Sequence, residues 1–286
     1  LVFGLLSSQV SIADTYPSLT DSIDPILQRN LERVIKSIGL EQAVKSKQLS
    51  LNLVDITDLD NPRVAAINGE NMVYAASLPK IAILLGAFVE IERGKMKLDE
   101  DTYKTLTDMI RFSSNQAATE MYHRVGEARI AEILQSDRYK LYDRDENGGL
   151  WVGKEYGKAK AWKRDPLHNL SHGATAMQTA RFYYLLETGR LVSEPWVSKM
   201  KEILSKPAIH HKFVKGLEKN RPGAKIFRKS GSWRTWHADS AIVESGGHKF
   251  IVVALANNPN GGKWLQKMIV PMHDLIVPNM MTANSH

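Results

Sequence analysis

Hydrophobic residues near the start of the chain follow a helical spacing and then a strand-like one. Asp24-Pro25 precedes apolar residues at near-helical intervals, which predicts a helix that ends at Gly39. Residues 51–56 then alternate between apolar and polar, as a half-buried strand does, and a second strand is predicted at residues 63–67. This part of the chain therefore predicts one helix followed by two strands.

Helical spacing dominates the middle of the chain. The predicted helices cover residues 79–93, 99–112, 114–125, 127–134, 174–188 and 193–204. Residues 139–171, which interrupt this series, have little periodicity and are rich in Gly, Asp, Lys and Trp. A loop of this length in a compact protein is typical of a functional element.

The C-terminal third predicts strands again. They cover residues 225–232, 237–244 and 249–256, and a final helix covers residues 262–276. Gly246-Gly247, between the last two strands, predicts a hairpin turn. Because strands occur at both ends of the chain and helices lie between them, we expect an α/β (α+β) fold. It combines a five-stranded antiparallel sheet, flanked by N- and C-terminal helices, with an all-helical lobe.

This order of elements also predicts how the chain is divided. We expect a sheet lobe formed by residues 20–76 and 206–286 and a helical lobe formed by residues 77–205, within one domain of residues 14–286. The active site is expected between the two lobes.

Composition narrows the functional class. The chain has 286 residues, of which 43% are hydrophobic and 24% are charged, and these values are ordinary for a folded protein. It contains no cysteine, which excludes disulfides, cysteine-ligated metals and cysteine nucleophiles. The sequence patterns of α/β-hydrolase elbows, zinc proteases and nucleotide-binding loops are absent from the sequence.

Positive charge is concentrated in one segment. The net charge is +7, and residues 199–234 hold eight Lys and three Arg against two Glu. Such a segment indicates an anionic ligand or surface, such as a carboxylate substrate or a cell-wall polymer, although a solvated basic face is the alternative. Nucleic acid is disfavoured as a partner because no nucleic-acid-binding motif accompanies the charge.

The first residues resemble the end of a secretory signal. An apolar run at residues 1–6 is followed by the small residues Ser11 and Ala13, which suit cleavage before Asp14. We therefore expect an exported protein, periplasmic or extracellular, with a frayed apolar terminus as the alternative. No later segment reaches the roughly 18 uninterrupted apolar residues of a membrane span, so no integral membrane segment is expected.

The sharpest local signal is an S-x-x-K motif at Ser77 and Lys80. A proline within the motif predicts that Ser77 lies at a helix N-terminus, where the helix dipole favours negative charge on its Oγ. Lys80, three residues later, lies on the same helical face within hydrogen-bonding reach. A lysine of lowered pKa could accept the serine proton. The alternative is a helix cap beside an exposed lysine, and we interpret a second match at Ser198–Lys201 as chance.

Two further motifs follow in the chain. An S-x-N motif at Ser113–Asn115 lies at the junction of two predicted helices, and a K-S-G motif at Lys229–Gly231 lies on a predicted strand. Each alone is typical of structure, the first of a helix cap and the second of an edge strand. The three motifs together, in this order and on these elements, are not expected by chance. We interpret them as one catalytic site.

This arrangement resembles the penicillin-recognising serine hydrolases, which include class A β-lactamases and the penicillin-binding transpeptidases and carboxypeptidases. The resemblance extends from about residue 51 to the C-terminus, and residues 113–126 and 174–192 look like class A helices. It implies a serine hydrolase that acts on β-lactams through an acyl-enzyme. Ser77 would be the nucleophile and Lys80 its proton acceptor.

The same resemblance implies further roles. Ser113 would pass a proton to the leaving nitrogen, and Asn115 would bind the substrate amide. Lys229 and Ser230 of the K-S-G motif would hold the substrate carboxylate. The resemblance also implies a partner that is a small β-lactam or a cell-wall peptide carrying a carboxylate. We expect a monomer that needs no metal or organic cofactor.

The remaining roles concern the oxyanion hole and the substrate carboxylate. The resemblance implies that the backbone N–H groups of Ser77 and Ser232 form the oxyanion hole. Arg234 or His237 could supply a second positive group for the carboxylate, with exposed charge as the alternative for either.

The sequence departs from class A in the long loop. It lacks the E-x-x-L-N signature of the glutamate that activates the deacylating water, and Glu146 and Glu155 are the only glutamates between residues 139 and 171. We prefer Glu155, which is nearer to the downstream helix, as the catalytic base. In addition, the middle residue of S-x-N is Ser114 instead of an acidic residue, and the interval from Ser77 to Ser113 is short. The alternatives are a D-alanyl-D-alanine carboxypeptidase or esterase, or a catalytically slow penicillin-binding module.

Overall fold

The computed structural model describes residues 16–278. The signal-like residues 1–13 and the possible cleavage site at Asp14 lie outside the described residues. The helices are α1 (Pro25–Ser37), α2 (Glu41–Lys45), α3 (Lys80–Glu92), α4 (Glu100–Arg111), α5 (Asn115–Val125), α6 (Glu127–Gln135), α7 (Ala176–Glu187), α8 (Trp196–Leu204), α9 (Phe213–Asn220) and α10 (Gly261–Ile276). The strands are β1 (Leu49–Asp55), β2 (Arg63–Ile67), β3 (Val73–Tyr74), β4 (Tyr142–Asp143), β5 (Gly148–Gly149), β6 (Trp151–Val152), β7 (His172–Ala174), β8 (Lys225–Trp233), β9 (Trp236–Ser245) and β10 (His248–Asn257).

The main sheet has five strands in the order β2-β1-β10-β9-β8, and all neighbours are antiparallel. Leu53 of β1 pairs with Val252 of β10 on one side and with Ala65 of β2 on the other. The β9–β10 hairpin turns at Gly246 and Gly247, whose positive φ angles suit a tight turn. The α/β fold and the five-stranded antiparallel sheet predicted from the sequence are confirmed.

Helices cover both faces of this sheet. On one face, β1 and β10 residues such as Leu51 and Val252 pack with α1, α9 and α10 in one hydrophobic cluster. On the other face, residues such as Val54 and Val253 pack with the central helices in a second cluster. No helix within residues 16–278 is long and apolar enough to cross a membrane.

Strand β1 differs from its sequence-based prediction. Its alternating residues predict a half-buried strand, but all of its residues are buried. Asn52, a polar residue of the alternation, faces the central helices, and its Nδ2 lies 3.5 Å from Met177 Sδ of α7. In this central strand, the polar position of the alternation therefore lies on the face that the helices cover. That face is not open to solvent.

The N-terminal helix begins as the sequence predicts. Asp24 caps α1 by accepting hydrogen bonds of 2.8 Å from the backbone N–H groups of Ile26 and Leu27. The buried residues Leu27, Leu31 and Ile35 form one face of this helix. Helices α2 and α9 and strand β3 are not predicted, because they are too short to show a hydrophobic period.

Helix α3 is the central element of the helical layer. Eleven of its thirteen residues are buried, including Lys80 at its first position. A helix that is apolar all round must be surrounded by other elements. Packing on every side therefore holds the N-terminal end of α3. The same packing fixes the position of the Ser77 turn that precedes the helix.

Strand β8, at the edge of the sheet, passes very close to the Ser77 turn. A Cβ atom added to Gly231 would lie 2.3 Å from the carbonyl oxygen of Ala75 and 2.7 Å from the backbone nitrogen of Ser77. These backbone atoms cannot move aside as a flexible side chain would. Only glycine therefore lets the strand approach the turn this closely.

A buried ion pair ties β8 to β9. Arg228 Nε donates to Asp239 Oδ1 at 2.7 Å and Arg228 Nη2 donates to Asp239 Oδ2 at 2.8 Å, and both side chains are buried. Asp239 also accepts from the backbone N–H of Phe213, which connects the strands to the start of α9. Bidentate pairing of this kind fixes the register of two neighbouring strands.

The substitution Arg228→Met should lower the free energy of unfolding by about 3–5 kcal/mol, because it leaves the Asp239 carboxylate buried without its partner. The control is Lys104→Met, which removes an ion pair to Asp108 whose two side chains are 74% and 33% exposed, so its loss should be much smaller. Urea unfolding measures both losses. Equal losses would contradict the structural role of the buried pair.

The substitution Gly231→Ala should lower the free energy of unfolding by about 1–3 kcal/mol, because the new methyl group overlaps the backbone of the Ser77 turn. Gly223→Ala is the matched control, since a Cβ there meets nothing within 4 Å. Urea unfolding of both variants is the measurement. If Gly231→Ala were as stable as Gly223→Ala, the close approach of strand and turn would be wrong.

Candidate active site

Ser77 lies in a tight turn at the N-terminal end of α3. The backbone N–H of Lys80 donates to Ser77 O at 3.3 Å, and the backbone N–H of Ile81 donates to Leu78 O at 3.2 Å, so the helix begins with three-residue turns. Within residues 16–278, neither the backbone N–H nor the hydroxyl of Ser77 has a hydrogen-bond partner. Both groups are therefore free to meet a ligand.

Lys80 is fully buried and points toward the junction of α4 and α5. Its Nζ donates hydrogen bonds to Ser113 O at 2.7 Å, Asn115 Oδ1 at 2.8 Å and Ser114 O at 3.2 Å. The sequence predicts a direct Lys80–Ser77 hydrogen bond, but the carbonyl oxygens of the junction take the ammonium protons in its place. The junction thus supplies the acceptors that a buried ammonium group needs.

Burial also makes the Lys80 amine a weaker base than that of an exposed lysine, so it holds its proton less tightly. Removal from water lowers the pKa of Lys80 to about 7, because the charged form loses its hydration. At neutral pH a large fraction of Lys80 is therefore the free amine. An amine at the first turn after Ser77 is a suitable proton acceptor for the serine hydroxyl.

Ser113 connects two buried lysines. Its Oγ accepts a hydrogen bond from Lys229 Nζ at 2.9 Å and lies 3.4 Å from Lys80 Nζ. Burial and the neighbouring Lys80 charge lower the pKa of Lys229 well below its ordinary value. The S-x-x-K, S-x-N and K-S-G motifs are thus brought together at one hydroxyl group, and this arrangement can carry a proton between the two amines.

The K-S-G strand presents two further hydroxyl groups, each held by a residue of the loop before α9. His211 Nε2 lies 3.2 Å from Ser230 Oγ, and Lys212 Nζ donates to Ser232 Oγ at 2.8 Å. Lys212 also donates to Gly231 O and to Ala238 O, and burial lowers its pKa to about 8. The strand therefore offers two oriented hydroxyls beside two buried cations.

These groups border a cleft of about 400 Å³. Its lining includes Ser77, Asn115 and Ser232, together with Glu155 and Tyr156 of the long loop. Because Asn115 Oδ1 accepts from Lys80, the Asn115 amide donors are left for a ligand. The cleft is thus bordered by Ser77 of the S-x-x-K motif, by Asn115 of the S-x-N motif and by Ser232, which directly follows the K-S-G motif.

Neither loop glutamate points at Lys80 or Ser77. Glu155 lines the cleft, but its Oε2 is bonded to His123 Nε2 of α5 at 2.9 Å. Glu146 is exposed and lies near Glu70, away from the cleft lining. The role of Glu155 as the base that activates water stays a prediction, and its observed partner is a histidine.

Tyr156, the residue after Glu155 in the chain, lies beside Lys80. Its ring centroid lies 4.5 Å from Lys80 Nζ, which is a cation–π distance. Its hydroxyl donates to Ala76 O at 3.4 Å, and its ring packs on that of His172 at 4.3 Å between centroids. No sequence signal identifies this residue, because the loop has no periodicity that would show which side chain faces the site.

Arg234 and His237 do not line the cleft. Arg234 is exposed and lies 5.8 Å from the ring of Trp233, whereas His237 packs against Gly261 and Gly262 at the start of α10. Their role in binding a carboxylate therefore stays a prediction. The cation that does contact the K-S-G strand beside the cleft is Lys212, which the sequence shows only as one lysine of a basic segment.

The basic residues of segment 199–234 do not all lie at the site. Lys212, Arg228 and Lys229 are buried next to the site. Lys215 and Lys219 instead line a cavity of about 500 Å³ between α9 and α10, which no motif residue reaches.

Backbone strain occurs at three residues of the site. Of the ten residues other than glycine with positive φ angles in the described chain, Ala76 (+51°) lines the cleft, and Ser113 (+57°) and Lys212 (+51°) contact the motif residues. This conformation is unfavourable for residues with a Cβ atom and persists only where the surroundings impose it.

Comparison with known proteins agrees with this geometry. A family model described as the β-lactamase enzyme family matches residues 30–105 and 101–270. A search of curated proteins found no match.

Among solved structures, PBP-A is 17% identical with a TM-score of 0.66, over 91% of this chain and 97% of that one. A leucine-to-glutamate variant of PBP-A, described as an acyl-enzyme complex with penicillin G, matches over 90% of this chain and 97% of its own, with a TM-score of 0.66 and 17% identity. The extended-spectrum β-lactamase TLA-3 matches over 87% of this chain and 96% of its own, with a TM-score of 0.68 and 13% identity. At such low identity these likenesses establish the fold.

The family model spans well over half of the chain, and the same sheet and helical layer recur in the solved structures. The resemblance inferred from the three motifs is thereby confirmed, and the chain belongs to the β-lactamase enzyme family.

Proposed function

We propose that this chain is a serine hydrolase that forms an acyl-enzyme at Ser77 with β-lactams or related cell-wall peptides. One observation carries the proposal: the buried amines of Lys80 and Lys229 both approach the hydroxyl of Ser113, and Ser77, three residues before Lys80, lines the cleft. The description of a PBP-A variant as an acyl-enzyme complex with penicillin G supports the same chemistry.

Acylation uses the groups that surround Ser77. The Ser77 Oγ attacks the carbonyl carbon, and its proton passes to the Lys80 amine, one helical turn away. Hydrogen bonds of this kind are often long in unliganded enzymes and tighten when substrate binds. The carbon–nitrogen bond then breaks, and Ser113 donates a proton to the leaving nitrogen, while Lys80 replaces the proton that Ser113 has lost.

The negative charge that forms on the carbonyl oxygen needs donors. The unpartnered backbone N–H of Ser77 and the N–H of Ser232 would supply them, since preorganised donors stabilise such an oxyanion strongly. The Ser232 hydroxyl lines the cleft and accepts from Lys212 Nζ, so it suits a substrate carboxylate, and Lys229 and Ser230 of the same strand would complete that site.

Membership of the family also suggests where this protein acts. Proteins of the β-lactamase family are typically exported, and we propose that this chain is exported as well. The alternative functions, a D-alanyl-D-alanine carboxypeptidase or a slow penicillin-binding module, share the acylation step and differ in what happens to the acyl-enzyme.

The substitution Ser77→Ala should abolish covalent labelling by a fluorescent penicillin, because it removes the proposed nucleophile. Ser198→Ala is the matched control from the second S-x-x-K match. Ser198 lies on the surface helix α8, where its Oγ donates to Glu194, and Lys201 is paired with Glu187. Labelling should therefore be unchanged. Gel fluorescence measures both. Labelling that was lost in Ser198→Ala and kept in Ser77→Ala would overturn the assignment.

The rate of acylation should rise with pH through about 7 and then reach a plateau, because only the neutral form of Lys80 accepts the Ser77 proton. Lys80→Ala should slow acylation by about 10²–10⁴-fold and remove this pH dependence. Stopped-flow labelling over pH 5–9 measures the profile, with circular dichroism as the control for folding. Normal acylation by folded Lys80→Ala would exclude Lys80 as the base.

A further inference from the structure

The fate of an acyl-enzyme depends on water activation. To release the acyl group, a water oxygen attacks the ester carbonyl, the carbon–Oγ bond breaks, and Ser77 regains a proton. A base must take the proton of the attacking water, and it must lie within about 3 Å of that water and be unprotonated at neutral pH. The titratable groups around the cleft can each be tested against these requirements.

Glu155 does not meet the geometric requirement. Its Oε2 is bonded to His123 of α5, and its Oε1 lies 3.3 Å from the position that a Cβ on Gly157 would occupy. Both oxygens are thus directed toward α5 and the loop backbone. Although Glu155 lines the cleft, a carboxylate held in this way is committed to His123 and has no hydrogen bond to Lys80 or Ser77 in the described chain.

His172 is occupied as well. Its Nε2 lies 3.2 Å from Lys154 O and its Nδ1 lies 3.3 Å from Ser171 Oγ. Burial lowers the pKa of His172 to about 4, so at neutral pH it has one donor and one acceptor, and the protein satisfies both. No free nitrogen remains to accept a proton from water.

Tyr156 lies with its ring over Lys80 Nζ and is fixed at several points. Its backbone N–H donates to Thr119 Oγ1 at 3.1 Å, and Thr119 Oγ1 lies 3.4 Å from its carbonyl oxygen. Its hydroxyl reaches Ala76 O, next to Ser77, and its ring is packed on His172. Burial raises the pKa of Tyr156 well above its ordinary value, so the phenol remains protonated and cannot serve as a base.

We propose that Tyr156 occupies the position of a water-activating base beside Ser77 and Lys80, and that the acyl-enzyme of this chain is consequently long-lived. This inference rests on the proposed acylation of Ser77. It makes the chain a penicillin-binding acyl-enzyme former with slow hydrolysis, because Glu155 and His172 are held by other partners and Tyr156 stays protonated, so none of these three cleft residues is available to activate water.

The first test is intact mass spectrometry of the wild-type chain. Benzylpenicillin is added, free antibiotic is removed by desalting, and the adduct mass is followed with time. The proposal expects the adduct to persist. An adduct that disappears within seconds would overturn it while leaving the proposed function intact, whereas an absence of any adduct, even when the mass is recorded during the reaction, would overturn the proposed function itself.

The second test places a carboxylate over Lys80. Tyr156→Glu should shorten the lifetime of the adduct by about 10²–10⁴-fold, which is the usual contribution of a general base. Tyr156→Gln is the matched control: it has the same size as the glutamate without the charge, and its adduct should persist. Equal lifetimes in the two variants, with acylation retained, would contradict the proposal.

Two further measurements separate this role from a purely structural one. The Tyr156→Glu carboxylate should raise the pH midpoint of acylation, because an anion beside Lys80 stabilises its ammonium form, and Tyr156→Gln should not do so to the same extent. Glu155→Gln should leave the adduct lifetime unchanged. A longer lifetime in Glu155→Gln would return the role of base to Glu155 and would exclude the assignment made here to Tyr156.

Discussion

The burial of two ammonium groups beside one serine hydroxyl is the constraint on which the rest of the site depends. An ammonium group removed from water is costly unless oxygen atoms surround it, and Ser113 supplies both its carbonyl and its hydroxyl to Lys80 and Lys229. To do so, Ser113 adopts a positive φ that is unfavourable for any residue with a Cβ atom. The α4–α5 junction therefore has its shape because it must hold these lysines. In return, their burial lowers the pKa values on which the chemistry depends.

The lysines are positioned by the core of the molecule. Lys80 begins a helix that is buried on all sides, so its backbone cannot shift without disturbing the helical layer. Lys229 lies on an edge strand that is held to its neighbour by the buried Arg228–Asp239 pair and to the Ser77 turn by the close approach at Gly231. A site carried by packed elements keeps its geometry better than a site carried by loops. The long loop, in contrast, forms the wall of the cleft that contains Glu155 and Tyr156.

The sequence predicts those parts of the structure that have a period or a motif. The five-stranded sheet follows from strand patterns at both ends of the chain, and Ser77, Ser113 and Lys229 lie on the elements where their motifs place them. What it misses depends on side-chain direction. Asn52 looks solvent-facing in an alternating strand but faces α7, and Lys212 is one of many lysines in its segment until the fold brings it to the K-S-G strand. Direction in irregular or doubly covered segments is set by tertiary contacts that no local pattern records.

The long loop shows why one residue decides so much. Glu155 and Tyr156 are neighbours in the chain, yet the first faces His123 and the second faces Lys80. A carboxylate beside Lys80 would favour the ammonium form and so weaken the amine as a base for acylation. A neutral ring in that position excludes water and leaves the pKa of Lys80 near 7. The two steps of the proposed reaction thus make opposite demands on one position, and tyrosine there would favour formation of the ester over its hydrolysis.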